Sequence, residues 1–193
     1  TYAPVVTFSI NESDGITAVS ENLREETFKH FDIKKEIEVI VNFVDVSRFN
    51  KRPIDAFKKV IAPNGERILL HASNFRKIKR VQDVVKIFAE VNKQVPSKLL
   101  FIGDGPERST AEDLARELGV SDEIRFVGKQ EQMEDILAIG DLFLLTSEYE
   151  SFGLAALEAM AAGVPVISTN AGGLGEINIP GETGYMSDVG DVA

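Results

Sequence analysis

Residues 147–160, SEYESFGLAALEAM, follow a short apolar run and lead into a segment, 152–162, that is apolar on nearly every side. A helix without a polar face must be covered by other parts of the protein. This one nevertheless carries Glu158, and a carboxylate in apolar surroundings is costly unless a partner satisfies it. Glu150 stands eight residues earlier. The pattern predicts a buried helix with one carboxylate inside it and another just before it.

The start of this helix offers hydrogen-bond donors to a ligand. Ser151 is the predicted N-cap. The amides of Phe152, Gly153 and Leu154 would then lack partners, so that a phosphate or sugar oxygen could accept from them. Gly153 leaves room for the ligand to approach the backbone. We interpret the stretch as two carboxylates and a row of amides that face one polyhydroxylated, anionic ligand. The alternative is an acidic loop followed by a core helix that tolerates Glu158.

Composition limits the class of protein. The 193 residues are enough for one domain or one and a half. A net charge of -10 argues against general binding to nucleic acid or to anionic membranes. There is no cysteine for a disulfide framework or thiolate chemistry, which fits the cytoplasm. The longest apolar run, 152–167, is too short for a membrane span, and no signal peptide is visible. Because the chain starts at Thr1 and stops abruptly after Ala193, we expect it to be a piece of a longer protein.

Most of the chain alternates between apolar runs and amphipathic segments. The predicted strands are 68–70, 99–102, 124–127, 142–145 and 164–167, and the helices between them are 81–91, 107–118 and 131–139. Continuous apolar strands that alternate with helices are typical of a parallel sheet covered on both faces. The sequence therefore predicts an α/β fold with a Rossmann-like, doubly wound parallel sheet.

The N-terminal part is less regular. The predicted elements there are strands at 15–20 and 37–41 and a helix at 21–30. Ser20 is the expected cap of that helix. After residue 41, proline and Asn-Gly breakers interrupt the pattern, and a short helix is expected at 54–61. This irregular segment is the candidate domain junction.

Ligands of such sheets bind outside the carboxyl ends of the strands. The five strand ends lead to polar or glycine-rich segments, which are 71–80, 103–106, 128–130, the loop to Glu150, and 168–173. Their convergence predicts a ligand site at that edge. The last of these segments continues through Gly172-Gly173-Leu174-Gly175-Glu176, a predicted turn into a helix. Its amides could bind phosphate or a carboxylate, and the alternative is a turn that needs positive φ.

The first strand end carries four cations in five residues, Arg76-Lys77-Ile78-Lys79-Arg80. Cations at a helix N-terminus oppose the helix dipole, so their placement is better explained if they meet an anion. Arg and Lys could neutralise a diphosphate, both when it binds and when it leaves. The alternative is a solvated helix start.

Other motifs are weak or missing. Gly103-Asp104-Gly105-Pro106 follows a strand but is not GxGxxG, so it is as well explained by a plain turn as by a ligand loop, and an NAD-type oxidoreductase is disfavoured. There is no P-loop motif and no Asp-x-Asp, and His30 and His71 lack metal-ligand spacing. A metal-dependent mechanism is therefore disfavoured. His71 is interpreted as a satisfied core histidine.

The motifs together resemble the retaining family 4 glycosyltransferases of GT-B fold. The resemblance rests on Glu150-x7-Glu158 within SExESFGL, on EAMAAGVPVI from Glu158, and on Gly172-Gly173-x-x-Glu176. It covers nearly the whole chain. It implies two Rossmann-like domains with the active site between them: residues 1–44 would be a remnant of the acceptor domain. Residues 45–193 would be the nucleotide-sugar-binding domain without its C-terminal end.

The resemblance also implies roles for individual residues. Glu150 would hold hydroxyls of the donor sugar, Glu158 the ribose hydroxyls, and Lys79 the diphosphate. Asn74 occupies the position of the family's diphosphate-binding Arg, and Arg76 is the predicted substitute. Further predicted donor-site residues are Ser151, Phe152, Gly153 and Leu154 around sugar and phosphates, Gly103, and the main chain of Gly128 and Lys129 at the base. The usual Pro before Glu176 is Gly175 here.

Within the family, residues 73–83 are similar to a subgroup that makes an N-acetylglucosaminyl malate for bacillithiol biosynthesis. This implies a UDP-N-acetylglucosamine donor, an L-malate acceptor and no metal or other cofactor. The alternatives are another sugar or acceptor, or an isolated nucleotide-binding module without activity of its own. No nucleic-acid partner is expected, and a homo-oligomer is possible through an exposed apolar face.

Overall fold

The computed structural model describes residues 2–49 and 55–193. The helices are α1 (Ala3–Glu12), α2 (Glu21–His30), α3 (Asp55–Ile61), α4 (Val81–Gln94), α5 (Arg108–Glu117), α6 (Met133–Leu137) and α7 (Leu154–Ala161). The strands are β1 (Thr17–Ala18), β2 (Glu38–Val39), β3 (Arg67–Ser73), β4 (Ser97–Gly103), β5 (Ile124–Gly128), β6 (Leu142–Leu145), β7 (Val166–Thr169) and β8 (Gly184–Ser187). Short 3-10 helices lie at Val46–Phe49, Lys77–Lys79, Ser121–Glu123 and Gly172–Glu176.

Six of the strands form one parallel sheet in the order β5-β4-β3-β6-β7-β8. The chain builds outward from β3 to one edge, then returns to the other side of β3 and builds outward again. This reversal places a topological switch point between β3 and β6, where open α/β sheets bind their ligands. The predicted doubly wound sheet is confirmed.

Neighbouring residues of each strand point to opposite faces of the sheet, and both faces are covered. One core contains Leu70 and Phe143 under α3, α6 and α7. The other contains Leu69 and Leu144 under α4 and α5. The continuous apolar strands follow from this, because a strand buried on both faces has no side that could be polar.

Several element boundaries differ from the predicted ones. Strand β8, Gly184–Ser187, was not predicted from the sequence, because it has only two large apolar side chains. Strand β7 begins at Val166, two residues later than predicted, and α6 is limited to Met133–Leu137. Position 54 of the predicted helix 54–61 lies outside the described residues, and α3 occupies the remainder.

The N-terminal region forms a separate two-stranded parallel sheet, β1-β2. Helix α1 buries none of its residues. Ser20 caps α2 as predicted, since its side chain accepts from the Leu23 amide at 3.0 Å. Val44 and Phe49 already pack against the core of the large sheet. The domain boundary after residue 44 stays a prediction.

In the described parts of the chain, no helix has the length and apolar character that crossing a membrane requires.

Candidate active site

The loop from β6 to α7 holds Glu150 in an ion pair inside the protein. The Lys79 ammonium lies 2.5 Å from Glu150 Oε1, and the Ser147 hydroxyl donates to the same oxygen at 2.7 Å. Both charged side chains are mostly buried, at 18% and 14% exposure. Lys79 comes from the turn after β3, so this contact joins the two strands that flank the switch point.

A glycine pair packs against the backbone of this loop. The amide of Gly173 donates to the Glu150 carbonyl oxygen at 2.8 Å. Gly172 has φ +60°, and a Cβ there would lie 2.1 Å from the same oxygen. The positive-φ interpretation of this segment is therefore correct for Gly172. The glycines are required because the two backbones touch with no space for a side chain.

The N-terminus of α7 differs from the prediction, and Ser151 as its N-cap is wrong. The cap residue is Gly153, with φ +98° and no side-chain hydrogen bond, and α7 begins at Leu154. Ser151 instead accepts at its carbonyl oxygen from the Ser20 hydroxyl, 2.6 Å away. The amides of Phe152, Gly153 and Leu154 donate to no acceptor within the described residues. This row of donors therefore exists with a backbone cap in place of a serine.

Glu158 lies one turn further along α7 and is half-buried. Burial raises the pKa of its carboxyl; the more distant charge of Arg48 opposes this and that of Glu134 adds to it. Within residues 2–49 and 55–193, no side chain or backbone amide donates to this carboxylate. A partly buried acceptor without donors is a group that a ligand hydroxyl could satisfy.

Glu158 and Leu154 form one wall of a cleft of about 450 Å³. The other walls come from the segment 43–49 and from the start of α6. No sequence pattern indicates that 43–49 belongs to the site, since this segment is predicted as an irregular junction. The position of Phe49 in the core of the large sheet brings this segment there. The charged side chains of the cleft are Asp45, Arg48, Glu131, Glu134 and Glu158.

The basic segment after β3 directly precedes α4, which begins at Val81 as predicted, with Arg80 as its N-cap. Lys77–Lys79 form a 3-10 turn in front of it. Arg80 is committed to carboxylates of the protein, with Asp83 at 2.5 Å and Glu148 at 2.9 Å. In the described part of the chain Arg76 and Lys77 make no ion pair, and both are exposed. These two cations are free to meet an anion.

Asn74 lies on the same turn, exposed, beside the loop after β4. A Cβ on Gly103 would lie 1.9 Å from the Ser73 carbonyl oxygen, and one on Gly105 would lie 2.1 Å from that of Asn74. Gly103 therefore supports the turn by close backbone contact. Its contact with a ligand stays a prediction.

The predicted base-binding residues follow β5. Gly128 has φ +70° with open space where a Cβ would be, and Lys129 is exposed. Neither lines the cleft at Glu158. Their assignment stays a prediction.

Glu176 joins the site to the N-terminal region. Its carboxylate accepts from the backbone amides of Glu21 at 3.0 Å and Asn22 at 2.8 Å, at the first turn of α2. A carboxylate there complements the positive end of the helix dipole. The sequence singled out Glu176 only as part of a glycine motif. A contact between residues more than 150 positions apart could not be predicted from a local pattern.

Among the described residues, no three His, Asp or Glu side chains come together as metal ligands. His30 is exposed, and His71 is completely buried with both ring nitrogens hydrogen-bonded. The interpretation of His71 as a satisfied core histidine is confirmed.

A parallel sheet of this order with helices on both faces is the Rossmann-like fold found in GT-B glycosyltransferase structures. The chain belongs to the glycosyl transferases group 1, whose family model matches residues 54–193.

Two curated relatives extend the similarity over nearly the whole chain. An N-acetyl-alpha-D-glucosaminyl L-malate synthase of Bacillus anthracis is 47% identical over 188 residues, which are 97% of this chain and 49% of the relative. A glycogen synthase of Mycobacterium tuberculosis is 34% identical over 194 residues, 98% of this chain and 45% of the relative. The chain thus spans about half the length of the curated relatives that it matches.

Solved structures confirm the fold. HepE of Anabaena in complex with UDP and glucose superposes with a TM-score of 0.90 at 22% identity, covering 98% of this chain and 54% of that one. Sucrose-phosphate synthase of Thermosynechococcus elongatus gives 0.84 at 25% identity, covering 98% and 49%. The expected GT-B relationship is therefore correct.

Proposed function

We propose that this chain is the donor-binding half of a glycosyltransferase that uses a nucleotide sugar. The observation that carries the proposal is Glu158, a half-buried carboxylate to which none of the described residues donates, one turn from a helix N-terminus whose amides meet no acceptor among those residues. Ribose hydroxyls are suitable donors to such a carboxylate, and phosphate or sugar oxygens are suitable acceptors for such amides.

The distribution of charge supports this orientation of the donor. Among the described residues, the lining of the cleft at Glu158 has four carboxylates and one guanidinium, so it suits an uncharged nucleoside better than a phosphate. The free cations, Arg76 and Lys77, lie on the turn after β3, together with Lys79 in its pair with Glu150. We place the diphosphate against Arg76 and Lys79 and the sugar against Glu150.

The finer assignment is a UDP-N-acetylglucosamine donor and an L-malate acceptor. It is supported by the name of the Bacillus anthracis relative at 47% identity and by the resemblance of residues 73–83. The HepE structure holds UDP and glucose, which supports uracil as the base. Most of the acceptor site would be supplied by parts of the enzyme outside this chain. A homo-oligomer is a further prediction, supported by the exposed Phe8 and Phe43.

The proposed reaction transfers the sugar with retention of configuration. The bond between the anomeric carbon and the diphosphate oxygen breaks, a new bond to the acceptor hydroxyl oxygen forms on the same face, and the proton of that hydroxyl passes to the departing diphosphate oxygen. Arg76 and Lys79 stabilise the charge that develops on the departing UDP, which is the task a metal ion performs in other transferases. We therefore propose a metal-independent reaction.

The first test is calorimetric titration of the chain with UDP in the presence of EDTA. We expect saturable binding of UDP and at least tenfold weaker binding of ADP, GDP and dTDP, about 1.4 kcal/mol or more. Equal binding of all four nucleotides would reject uracil as the preferred base. A folded chain that binds none of them would reject the donor site.

The second test concerns the metal and requires the full-length enzyme. Transfer from UDP-N-acetylglucosamine to L-malate should continue after chelation. Loss of activity with EDTA that Mg²⁺ or Mn²⁺ restores would reject the metal-independent mechanism.

A further inference from the structure

His71 is completely buried in β3, directly beside the switch point of the sheet. Its ring packs against those of Phe75, with centroids 6.1 Å apart, and Phe101, at 5.3 Å. A histidine that served only for packing could be replaced there by an apolar ring. Its polar atoms therefore require an explanation.

The hydrogen bonds of His71 have only one consistent direction. Nδ1 lies 2.9 Å from the Leu144 carbonyl oxygen, which can only accept, so Nδ1 carries the proton. Burial lowers the pKa of the imidazole to about 4, so the ring is neutral and Nε2 must accept. The Ser73 hydroxyl, 2.8 Å away, donates to Nε2, and its oxygen accepts from the Phe75 amide at 3.3 Å.

This chain of hydrogen bonds ends at a strained turn. Phe75 has φ +39°, a left-handed conformation that costs a residue with a Cβ about 1–2 kcal/mol. Its side chain is fully buried, and its carbonyl oxygen accepts from the Glu107 amide at 2.9 Å. The neighbours of Phe75 on this turn, Asn74 and Arg76, are both exposed. Strain of this kind persists only where surrounding contacts hold it, and it is concentrated at functional sites.

We propose that His71 is a positioning residue of the donor site, with its proton on Nδ1. It ties β6, through Leu144, to the turn at Phe75, through Ser73, and so fixes the direction in which Asn74 and Arg76 are presented to the diphosphate. The link between His71 and diphosphate binding rests on the proposed function. The link between His71 and the turn at Phe75 rests on the geometry alone. The residue touches no substrate and acts only through Ser73.

Nuclear magnetic resonance of the 15N-labelled chain tests the hydrogen-bond direction. The protein has two histidines, and the exposed His30 provides an internal reference. At pH 7 we expect the long-range 1H–15N pattern of a neutral ring protonated at Nδ1 for His71. A ring protonated at Nε2, or at both nitrogens, overturns the inference.

Ser73→Ala tests the role in the site, because it removes the link between the ring and the turn while leaving His71 bonded to Leu144. We expect faster hydrogen exchange at the Phe75 amide and about tenfold weaker UDP binding, the effect of one or two lost hydrogen bonds. Ser121→Ala is the matched control, since Ser121 is exposed at the opposite end of the sheet and its hydroxyl makes no hydrogen bond to any described residue.

A pair of variants at His71 separates the effect of its hydrogen bond to Ser73 from the effect of its packing in the core. His71→Gln can place an amide oxygen near the position of Nε2, whereas the shorter side chain of His71→Asn cannot reach Ser73. We expect the Gln variant to retain most of the UDP affinity and the Asn variant to lose as much as Ser73→Ala. Equal losses in both, in cooperatively folding proteins, would indicate packing alone and overturn the inference.

The outcomes distinguish this inference from the proposed function. If the unmodified chain binds UDP and Ser73→Ala binds it equally well, the role of His71 is rejected and the proposed function stands. If the unmodified chain binds no UDP, the proposed function is rejected. The Phe75 exchange rate then decides whether His71 holds the turn: an unchanged rate in Ser73→Ala rejects that as well.

Discussion

Glu150 lies in the loop before α7, and Glu158 lies within α7. Their surroundings in the protein differ. Glu150 is bound by Lys79 and Ser147, and its backbone is held by the glycine pair at 172. Glu158 faces a cleft, half-buried, with no donor from the described residues. Within the part of the chain that the structure describes, one carboxylate is satisfied and the other is not.

Under the proposed function, this difference gives the two carboxylates different roles. A paired carboxylate keeps its position whether or not a ligand is present, so Glu150 and Lys79 can be in place before the donor arrives. An unpaired, partly buried carboxylate destabilises the empty protein, and a ligand with hydroxyl donors removes that cost. Glu158 should therefore contribute to affinity, and Glu150 to the placement of the sugar.

The largest expected effect is on the backbone that supports Glu150. Gly172→Ala would place a Cβ 2.1 Å from the Glu150 carbonyl oxygen in a left-handed residue. We expect the free energy of unfolding to fall by about 3 kcal/mol or more, the sum of backbone strain and overpacking. Urea denaturation measures it.

Gly181→Ala is the control for this substitution. Gly181 has a similar φ of +82°, but nothing lies within 4 Å of the added Cβ. Its cost should be limited to about 1–2 kcal/mol from the backbone conformation. Equal costs at the two positions would show that the contact with Glu150 is not tight.

The next effect is on nucleotide affinity. Glu158→Ala removes the acceptor that we assign to the ribose, so UDP binding should weaken by about 1–3 kcal/mol, which is roughly 5- to 150-fold. Calorimetric titration measures this. Unchanged affinity would place the ribose elsewhere and remove the contrast between the two carboxylates.

Glu150→Gln should weaken the binding of the nucleotide sugar more than the binding of UDP. It should change UDP affinity less than Glu158→Ala does, because UDP has no donor sugar. Binding of UDP-N-acetylglucosamine should weaken by about 1 kcal/mol, as sugar hydroxyls meet a weaker acceptor. If the affinities for UDP and for UDP-N-acetylglucosamine fall equally, Glu150 acts through Lys79 on the diphosphate and not on the sugar.

The smallest effect is the pH dependence of stability at Glu158. Burial raises the pKa of this carboxyl above its usual value of 4.5, so the folded chain keeps the proton at pH values where the unfolded chain has lost it. The group thus stabilises the fold at acidic pH, and this contribution is lost as the pH rises through the folded pKa.

Glu158→Gln removes this titration. Its free energy of unfolding, relative to that of the unmodified chain, should therefore be higher at pH 7 than at pH 4. Urea denaturation at both pH values measures the difference. A difference of the opposite sign would mean that an unseen donor already satisfies Glu158.

Much of the architecture could be predicted from local patterns. The strands 142–145 and 124–127 are continuous apolar runs, and α2 follows a serine that caps it. Glu158 stands out as a carboxylate in an apolar helix, and the cations 76–80 stand out at a strand end, since such ends meet at one edge of a parallel sheet. Only the resemblance to the family distinguishes Lys79 and Arg76 within that cluster. Their roles toward a ligand stay predictions.

Other features had no local pattern. Ser151 was the expected cap because serine is the common residue at that position, but a left-handed Gly153 begins α7. Ser147 and the segment 43–49 enter the site only through the fold of the sheet around them. Strand β8 gains its hydrogen bonds from β7, and a run of four residues with two polar ends cannot indicate that by itself.

The sequence by itself determined the class of fold, because periodic burial of apolar side chains leaves few alternatives for strands without a polar face. It also determined which charged residues lie near the carboxyl edge of the sheet. Only the tertiary structure decided which charges are paired: Lys79 with Glu150, Arg80 with Asp83, and Glu158 with none of the described groups. The physical reason is distance. An ion pair or a hydrogen bond depends on a few ångströms between groups that can be 70 or 150 residues apart, and no periodicity in the chain encodes that separation.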